Sequence, residues 1–263
     1  MLKIEIMKAI LYCEKPVPRL AYTADYVFTQ LLGLEVRIVY DQSEYQSFAG
    51  IKCNYSRASI SAQEVHIKPQ GLLSEQGIYE QEIASFLAGD LPAIFASGPG
   101  YDLPFDVFSA VFFILSRYEE YLPFEPDQHG RYPAQISWAH RNNCLSYPVV
   151  WEWTKLLKQA FQQKYSHWPS EGPGYAFLPT YDIDLPWAYL HRGLRGWGRL
   201  GLDVLKADWP QVRARWQVWR QRQEDPFFTF SQLQELHKTT GVRPRIFWLL
   251  ADPSREDINP SWK

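Results

Sequence analysis

Two carboxylates spaced by one residue, Asp182 and Asp184, are the side chains in this sequence best suited to chemistry. They follow an apolar stretch that begins at Phe177 and is typical of a β-strand. Because side chains alternate faces along a strand, both acids are expected on one face, ~7 Å apart. Such carboxylates repel each other unless they share a cation or divide the roles of acid and base. The pair therefore predicts a metal or acid–base site. The competing interpretation is an exposed strand end that leads into a helix at Asp184-Leu185-Pro186.

The composition limits the class of protein. The chain has 263 residues, which suggests two domains or one large one. Its 27 basic and 29 acidic residues nearly balance, which argues against a nucleic-acid-binding protein. The three cysteines, Cys13, Cys53 and Cys144, are too few and too far apart for a disulfide framework and fit a reducing compartment.

The sequence also bears on the membrane. Residues 1–6 lack the pattern of a signal peptide, and the most apolar run, residues 107–115, is far shorter than the roughly 20 residues of a membrane span. We therefore expect a buried helix at 107–115, no membrane span and a cytoplasmic protein.

The chain is predicted to form two domains joined by a linker. Residues 1–165 mix short strand and helix patterns and are predicted to form an α+β domain of unknown function. Residues 164–174 are dense in proline, glycine and polar residues, as expected of a linker. Residues 170–263 form the second predicted domain, and eight of the 11 tryptophans lie from Trp168 onward. Large aromatic side chains can bind sugars, but they more often fill a core.

The second domain begins an alternation of strands and helices. A segment rich in glycine and arginine, residues 191–199, is predicted to be a loop, with anion binding through its arginines as the alternative. One helix is predicted to start at Asp208 and another at Thr229, before an apolar strand at 244–251. The face of the first helix that is predicted to pack consists of Trp209, Val212, Trp216 and Trp219. A barrel takes about 250 residues, so we expect only the first βα units of an incomplete (β/α) barrel.

The residues around the D-x-D resemble a known family. Thr180-Tyr181-Asp182-Ile183-Asp184 is similar to the first motif of the polysaccharide deacetylase family, also called NodB-homology or carbohydrate esterase 4 type, whose usual form is T-F-D-D-G. Residues 225–230 and 245–250 resemble the segments that precede the next motif of that family. Residues 113–124, with Ser-Arg-Tyr-Glu-Glu-Tyr at their centre, resemble an N-terminal domain of unknown function found in some bacterial members.

The resemblance implies an activity and a site. It implies an irregular (β/α) barrel that removes N- or O-acetyl groups from a carbohydrate, with a divalent metal such as zinc as cofactor. Asp182 would be the general base, and Asp184 would bind the metal together with two histidines of an H-x-x-x-H motif. None of the six histidines has i, i+4 spacing, and the motif is expected just beyond Lys263. We therefore expect this chain to be a fragment that is inactive alone and binds zinc poorly, because zinc usually takes three protein ligands.

Other functions are also compatible with parts of this sequence. A glycosyltransferase also uses a D-x-D, to hold a metal and a nucleotide diphosphate, but it needs a nucleotide-binding sheet around that motif. Residues 1–165 could instead bind a glycan or a partner without catalysis. A glycoside hydrolase fits poorly, because its two acids face each other across the sugar.

One segment of the first domain carries several charges. Arg117 and Glu120 lie one helical turn apart, so we expect an ion pair at a helix end. The alternative is that Glu119 and Glu120 bind substrate. Three polar residues nearby receive no role from the sequence: Asp127, His129 and Asn142.

Overall fold

The computed structural model describes residues 8–166, Trp168 and 175–248. It divides into two compact units, Met1–Gly174 and Tyr175–Lys263, which we call unit 1 and unit 2. Most of the predicted linker, and residues 249–251 of the last predicted strand, lie outside the described residues.

Unit 1 is built around a parallel sheet. Its four strands are β1 (Lys8–Cys13), β2 (Glu35–Val39), β3 (Ile51–Tyr55) and β4 (Val65–Ile67), in the order β2-β1-β3-β4. A separate antiparallel pair consists of β5 (Phe86–Ala88) and β6 (Leu91–Ala93). The main sheet therefore has the α/β arrangement, and the small second sheet has the antiparallel pairing expected of an α+β domain.

Helices connect and cover these strands. They are α1 (Pro18–Ala24), which continues as a π-helix to Leu31, α2 (Gln42–Ser47), α3 (Val107–Leu115), α4 (Trp138–Arg141) and α5 (Val149–Lys164). A 3-10 helix, Tyr118–Tyr121, follows α3. The predicted helix at 107–115 is thus α3, and none of the described helices is long and apolar enough to cross a membrane.

Both faces of the main sheet are buried. Along β1, Ala9 and Leu11 belong to a large core with α1, α3 and α5, whereas Ile10 and Tyr12 belong to a smaller cluster with Tyr45 of α2. A nearly continuous apolar run is typical of a strand covered on both sides.

The cysteines of unit 1 are all buried. Cys13, Cys53 and Cys144 are free thiols in the core. Burial raises the pKa of Cys13 to about 11 and raises the pKa of Cys53 well above its usual range. These thiols are therefore packing residues rather than nucleophiles.

The described part of unit 2, residues 175–248, contains two parallel strands and three helices. They are β7 (Thr180–Ile183), α6 (Gly193–Leu205), α7 (Trp209–Trp219), α8 (Phe230–Thr240) and β8 (Arg245–Trp248). Thr180 pairs with Arg245 and Ile183 with Trp248 in the β7–β8 register. The expected parallel pairing is present, and the described residues contain no closed barrel.

Two predictions for the helices of unit 2 were wrong. The segment predicted as a loop at 191–199 becomes the start of α6 from Gly193. The predicted tryptophan face of α7 is not the buried one, because Trp209 is 62% exposed and Trp216 is 44% exposed. The helix buries Arg215 and Val218 instead.

A buried ion pair joins these two helices. Arg215 of α7 donates from Nη2 to Oδ2 of Asp203 on α6 at 2.9 Å, and both side chains are nearly covered. The guanidinium of Arg215 also stacks on the ring of Tyr189, 4.8 Å from its centroid. α6 thus contacts α7 through Asp203 and through Trp197, whose ring lies 4.6 Å from that of Trp219. Its apolar residues Leu194 and Leu205 are 90% and 84% exposed.

Candidate functional site

Asp182 and Asp184 lie at the carboxyl end of β7. Asp182 is the third residue of the strand, and Asp184 is the first residue after it. Both are exposed, and neither side chain has a hydrogen-bond partner within the described part of the chain. The carboxyl ends of parallel strands are where α/β proteins place their ligands.

The side of β7 opposite to Asp182 faces helix α8. Tyr181 precedes Asp182 and therefore points to the other side of the strand. Its hydroxyl forms a 2.9 Å hydrogen bond with Nε2 of His237 on α8. Tyr181 and Ile183 line a cavity of about 510 Å³ with Leu233 and other residues of α8. Because α8 lies on this side, Asp182 faces away from it, as does the neighbouring Phe247 of β8, which is 54% exposed.

The loop that follows Asp184 is held by a second carboxylate, Asp225. Its Oδ1 accepts hydrogen bonds from the backbone N–H groups of Ala188 and Phe227, and its Oδ2 accepts from Tyr189 and Leu190, all at 2.8–3.1 Å. Burial alone would raise the pKa of Asp225, but these four backbone donors lower it below its usual value. An ionised Asp225 therefore fixes the backbone at residues 188–190, in the loop that follows the D-x-D.

Aromatic contacts add to this anchorage. Trp187 stacks on Phe228 with the rings 5.0 Å apart and nearly parallel. Arg192 donates from Nη2 to the carbonyl of Trp187 at 2.6 Å. The loop between β7 and α6 is therefore ordered by side chains from the segment before α8.

The described residues supply an incomplete metal site. Within 8–166, 168 and 175–248, no three His, Cys, Asp or Glu side chains are grouped to hold a metal ion. His237 belongs to α8 and bonds Tyr181, on the side of β7 away from Asp182. His66 is buried in unit 1, where its Nε2 lies 2.9 Å from the carbonyl of Ser56. Two carboxylates suit a divalent cation in type, but they fall short of the three protein ligands that zinc usually takes. A metal held by Asp184 needs further ligands from outside the described residues.

The charged segment of unit 1 forms structural contacts. Nε of Arg117 donates to Glu120 at 2.6 Å, so the predicted ion pair is confirmed. Glu119 accepts the backbone N–H of Trp138 at 2.9 Å and lies 3.4 Å from Arg141. Burial raises the pKa of Glu119 above its usual value, although the Trp138 N–H and Arg141 oppose this.

The sequence did not identify Asp225 as a site residue. Its signal was present in Asp225-Pro226-Phe227-Phe228, where a carboxylate stands between proline and aromatic residues, since Asp often bonds the backbone two residues on. Asp127, which received no role from the sequence, also bonds nearby backbone. Its Oδ1 accepts the N–H groups of His129 and Arg131 at 2.8 and 2.9 Å and closes a turn.

Comparison with known proteins identifies one part of the chain. Residues 9–166 match a family of unknown function, DUF7033. No curated protein and no solved structure matches the chain. The match covers the described part of unit 1 and ends before the D-x-D.

Proposed function

Because the chain belongs to DUF7033, a family of unknown function, the family suggests no activity, and we propose one from the D-x-D. The proposed activity is metal-dependent removal of N- or O-acetyl groups from a carbohydrate. The observation that carries it is the placement of Asp182 and Asp184, exposed at the carboxyl end of a parallel strand beside an anchored loop.

Each carboxylate has a proposed role. Asp184 lies at the strand end and is the metal ligand, with its partner ligands supplied from outside the described residues. A divalent metal bound there would polarise the acyl carbonyl and lower the pKa of water. Asp182, one strand position before it, is the general base that accepts the proton of the attacking water.

The finer fold that we propose is the start of an irregular (β/α) barrel. The β7–β8 pair has helix α8 on one side, while the side that carries Asp182 and Phe247 is exposed. In a (β/α) barrel the helices lie outside and the other strand face lines the interior. This arrangement supports the assignment of β7 and β8 as the first strands, with Asp182 directed inward.

Two other functions are less well supported. A glycosyltransferase requires its D-x-D within a nucleotide-binding sheet, but β7 pairs with β8, and the four-stranded parallel sheet belongs to unit 1. Non-catalytic glycan binding by unit 1 is compatible with the deacetylase proposal, since binding and catalytic domains often occur in one chain.

Acetyl release tests the proposal. The protein expressed from its whole reading frame is incubated with acetylated chitooligosaccharide and zinc, cobalt or nickel, and free acetate is measured. We expect activity that falls by about 100-fold or more in Asp182→Asn and Asp184→Asn, because each variant removes a catalytic carboxylate. The control is Asp208→Asn, since Asn caps helix α7 as well as Asp does. Unchanged activity in both site variants would contradict the proposal.

A further inference from the structure

Unit 1 contains a cavity that its closed core does not explain. The cavity has a volume of about 320 Å³ and lies beside the 3-10 helix that follows α3. Unit 1 is already covered on both faces of its sheet, so this space is not a missing part of the core. Its lining combines aromatic and aliphatic side chains with charged and polar ones. Polar groups placed beside apolar surface are what orient a ligand in a binding site.

The apolar wall of the cavity is held in place by a turn and a helix. Phe124 and Tyr132 lie on the two sides of the turn closed by Asp127, and their rings meet edge to face at 5.0 Å. Phe113 of α3 and Leu122 complete this wall. The turn holds the backbone between these two positions, and the two rings contact each other, so the wall is present without a ligand.

The opposite rim is equally fixed. The hydroxyl of Tyr118 bonds both the N–H and the carbonyl of Tyr79, at 2.9 and 3.1 Å. These bonds hold the segment that supplies Glu80 and Gln81 to the cavity. Arg117 adopts a left-handed backbone conformation, φ 53°, directly before Tyr118. A non-glycine residue rarely adopts this conformation, so the turn into this rim is a specific feature of the fold.

Several polar groups of the cavity have unused hydrogen-bonding capacity. In the described part of the chain, the Tyr132 hydroxyl and the Glu80 carboxylate have no side-chain partner, and Arg141 has only its 3.4 Å contact with Glu119. The cavity thus offers a hydroxyl, a guanidinium and the Glu80 carboxylate next to an aromatic wall, together with Glu119, whose carboxylate already accepts the Trp138 N–H. Because the lining contains two acidic side chains and one arginine, the cavity disfavours an anionic ligand.

We propose that this cavity binds a saccharide ring without negative charge, so that unit 1 holds the glycan on which the D-x-D acts. A pyranose presents an apolar C–H face to aromatic rings and a rim of hydroxyls that both donate and accept hydrogen bonds. The aromatic wall of the cavity can pack against the C–H face of the sugar. Its carboxylate acceptors and arginine donors can bond the sugar hydroxyls. The identity of the sugar as the deacetylase substrate rests on the proposed function, whereas the binding itself does not.

Binding is measured on this chain carrying Asp182→Asn and Asp184→Asn, so that catalysis plays no part. The probes are N,N′,N″-triacetylchitotriose and its deacetylated form, with maltotriose as a neutral sugar without nitrogen and trigalacturonate as the anionic control. Amide NMR follows the Trp138 N–H, which is bonded to Glu119 in the cavity rim. We expect saturable shifts at Trp138 with at least one of the first three sugars, at millimolar or lower dissociation constants, and none with trigalacturonate.

The variants locate the site. Tyr132→Phe and Arg141→Gln should each weaken binding about fivefold to tenfold, because each removes one or two hydrogen bonds to the sugar. The matched controls are Tyr40→Phe and Arg57→Gln, exposed residues of unit 1 outside the cavity, which should leave binding unchanged.

The outcomes separate the two proposals. Absence of saturable shifts with all three uncharged or cationic sugars, or equal loss of binding in the control variants, would overturn the saccharide site and leave the deacetylase proposal standing. Sugar binding without acetate release from the full reading frame would overturn the deacetylase and retain the site. If triacetylchitotriose binds more tightly than maltotriose, unit 1 recognises the acetylated substrate. If the deacetylated form binds most tightly, unit 1 recognises the product. If maltotriose binds most tightly, neither link to deacetylation holds.

Discussion

In unit 1 both faces of the main sheet are covered, whereas the β7–β8 pair of unit 2 has a helix on one side only among the residues that the structure describes. Nearly all buried apolar side chains of the described chain lie in unit 1, and Val218 is the one that unit 2 contributes. Unit 2 also exposes large apolar residues such as Leu194 at 90% and Leu205 at 84%.

The comparison shows that the two units are stabilised by different interactions. In unit 1 the hydrophobic core supplies most of the free energy of folding. In unit 2, the described interior is held by aromatic pairs, such as Trp187 with Phe228, and by polar contacts, namely the Asp203–Arg215 pair and the four N–H groups bonded to Asp225. Such polar contacts define a specific arrangement but contribute less net stability than apolar burial does.

Tryptophan substitutions test this difference most strongly. Trp153 is fully buried in unit 1, where its Nε1 donates to the Pro92 carbonyl at 2.9 Å. We expect Trp153→Ala to lower the free energy of unfolding of unit 1 by about 3–5 kcal/mol, because it leaves a large cavity. The matched variant Trp209→Ala in α7 removes a side chain that is 62% exposed and should change stability by less than about 0.5 kcal/mol. Urea unfolding followed by circular dichroism measures both, and similar losses would mean that Trp209 is covered in solution.

Substitution of Asp225 sharpens the comparison on the side of unit 2. In Asp225→Asn one carboxylate oxygen becomes an amide NH₂ that faces backbone N–H donors, so we expect a local loss of about 1–3 kcal/mol. Hydrogen exchange at Ala188, Tyr189 and Leu190 should accelerate by about 10- to 100-fold. The control is again Asp208→Asn, which should leave exchange there unchanged. Protection that persists in Asp225→Asn would show that the loop is held mainly by Trp187 and Phe228.

Acid should affect the two units differently, and we expect this effect to be smaller than those of the substitutions above. The pKa of Asp225 is lowered in the folded state, so its contribution is present above the usual carboxyl pKa of about 4 and is lost as the pH falls through the folded value. In unit 1, burial raises the pKa of Asp106 despite its hydrogen bonds with Ser109 and Tyr55, so protonation of this group favours the folded state. We expect exchange at Tyr189, corrected for its intrinsic rate, to accelerate before exchange at Ser109 as the pH is lowered. The reverse order would contradict the assignment of Asp225 as the anchor.

Local features of the fold could be predicted from the sequence. Asp106 and Asp208 cap helices α3 and α7 as expected, because a cap needs only its own side chain and the next turn of backbone. Gly241 ends α8 in the left-handed conformation, φ 68°, also as expected. The start of α8 was placed correctly, although Thr229 makes no side-chain capping hydrogen bond.

Features that depend on distant partners could not be predicted. The burial of Arg215 requires Asp203 on the preceding helix, and no pattern within α7 indicates this partner. The role of Asp225 requires backbone donors 35 to 37 residues earlier. The positions of Asp182 and Asp184 on β7 agree with the strand pattern, and their roles in catalysis and metal binding stay predictions.

The three buried cysteines have a practical consequence for studying this protein. Thiol reagents act on exposed thiolates, and Cys13, Cys53 and Cys144 are all buried, with a pKa of about 11 for Cys13. A cysteine introduced on an exposed helix would therefore react far faster with a maleimide dye than the native three. The wild-type sequence already serves as a background for site-specific labelling, so a pair of fluorophores on introduced cysteines can report the distance between the units without removal of any native cysteine.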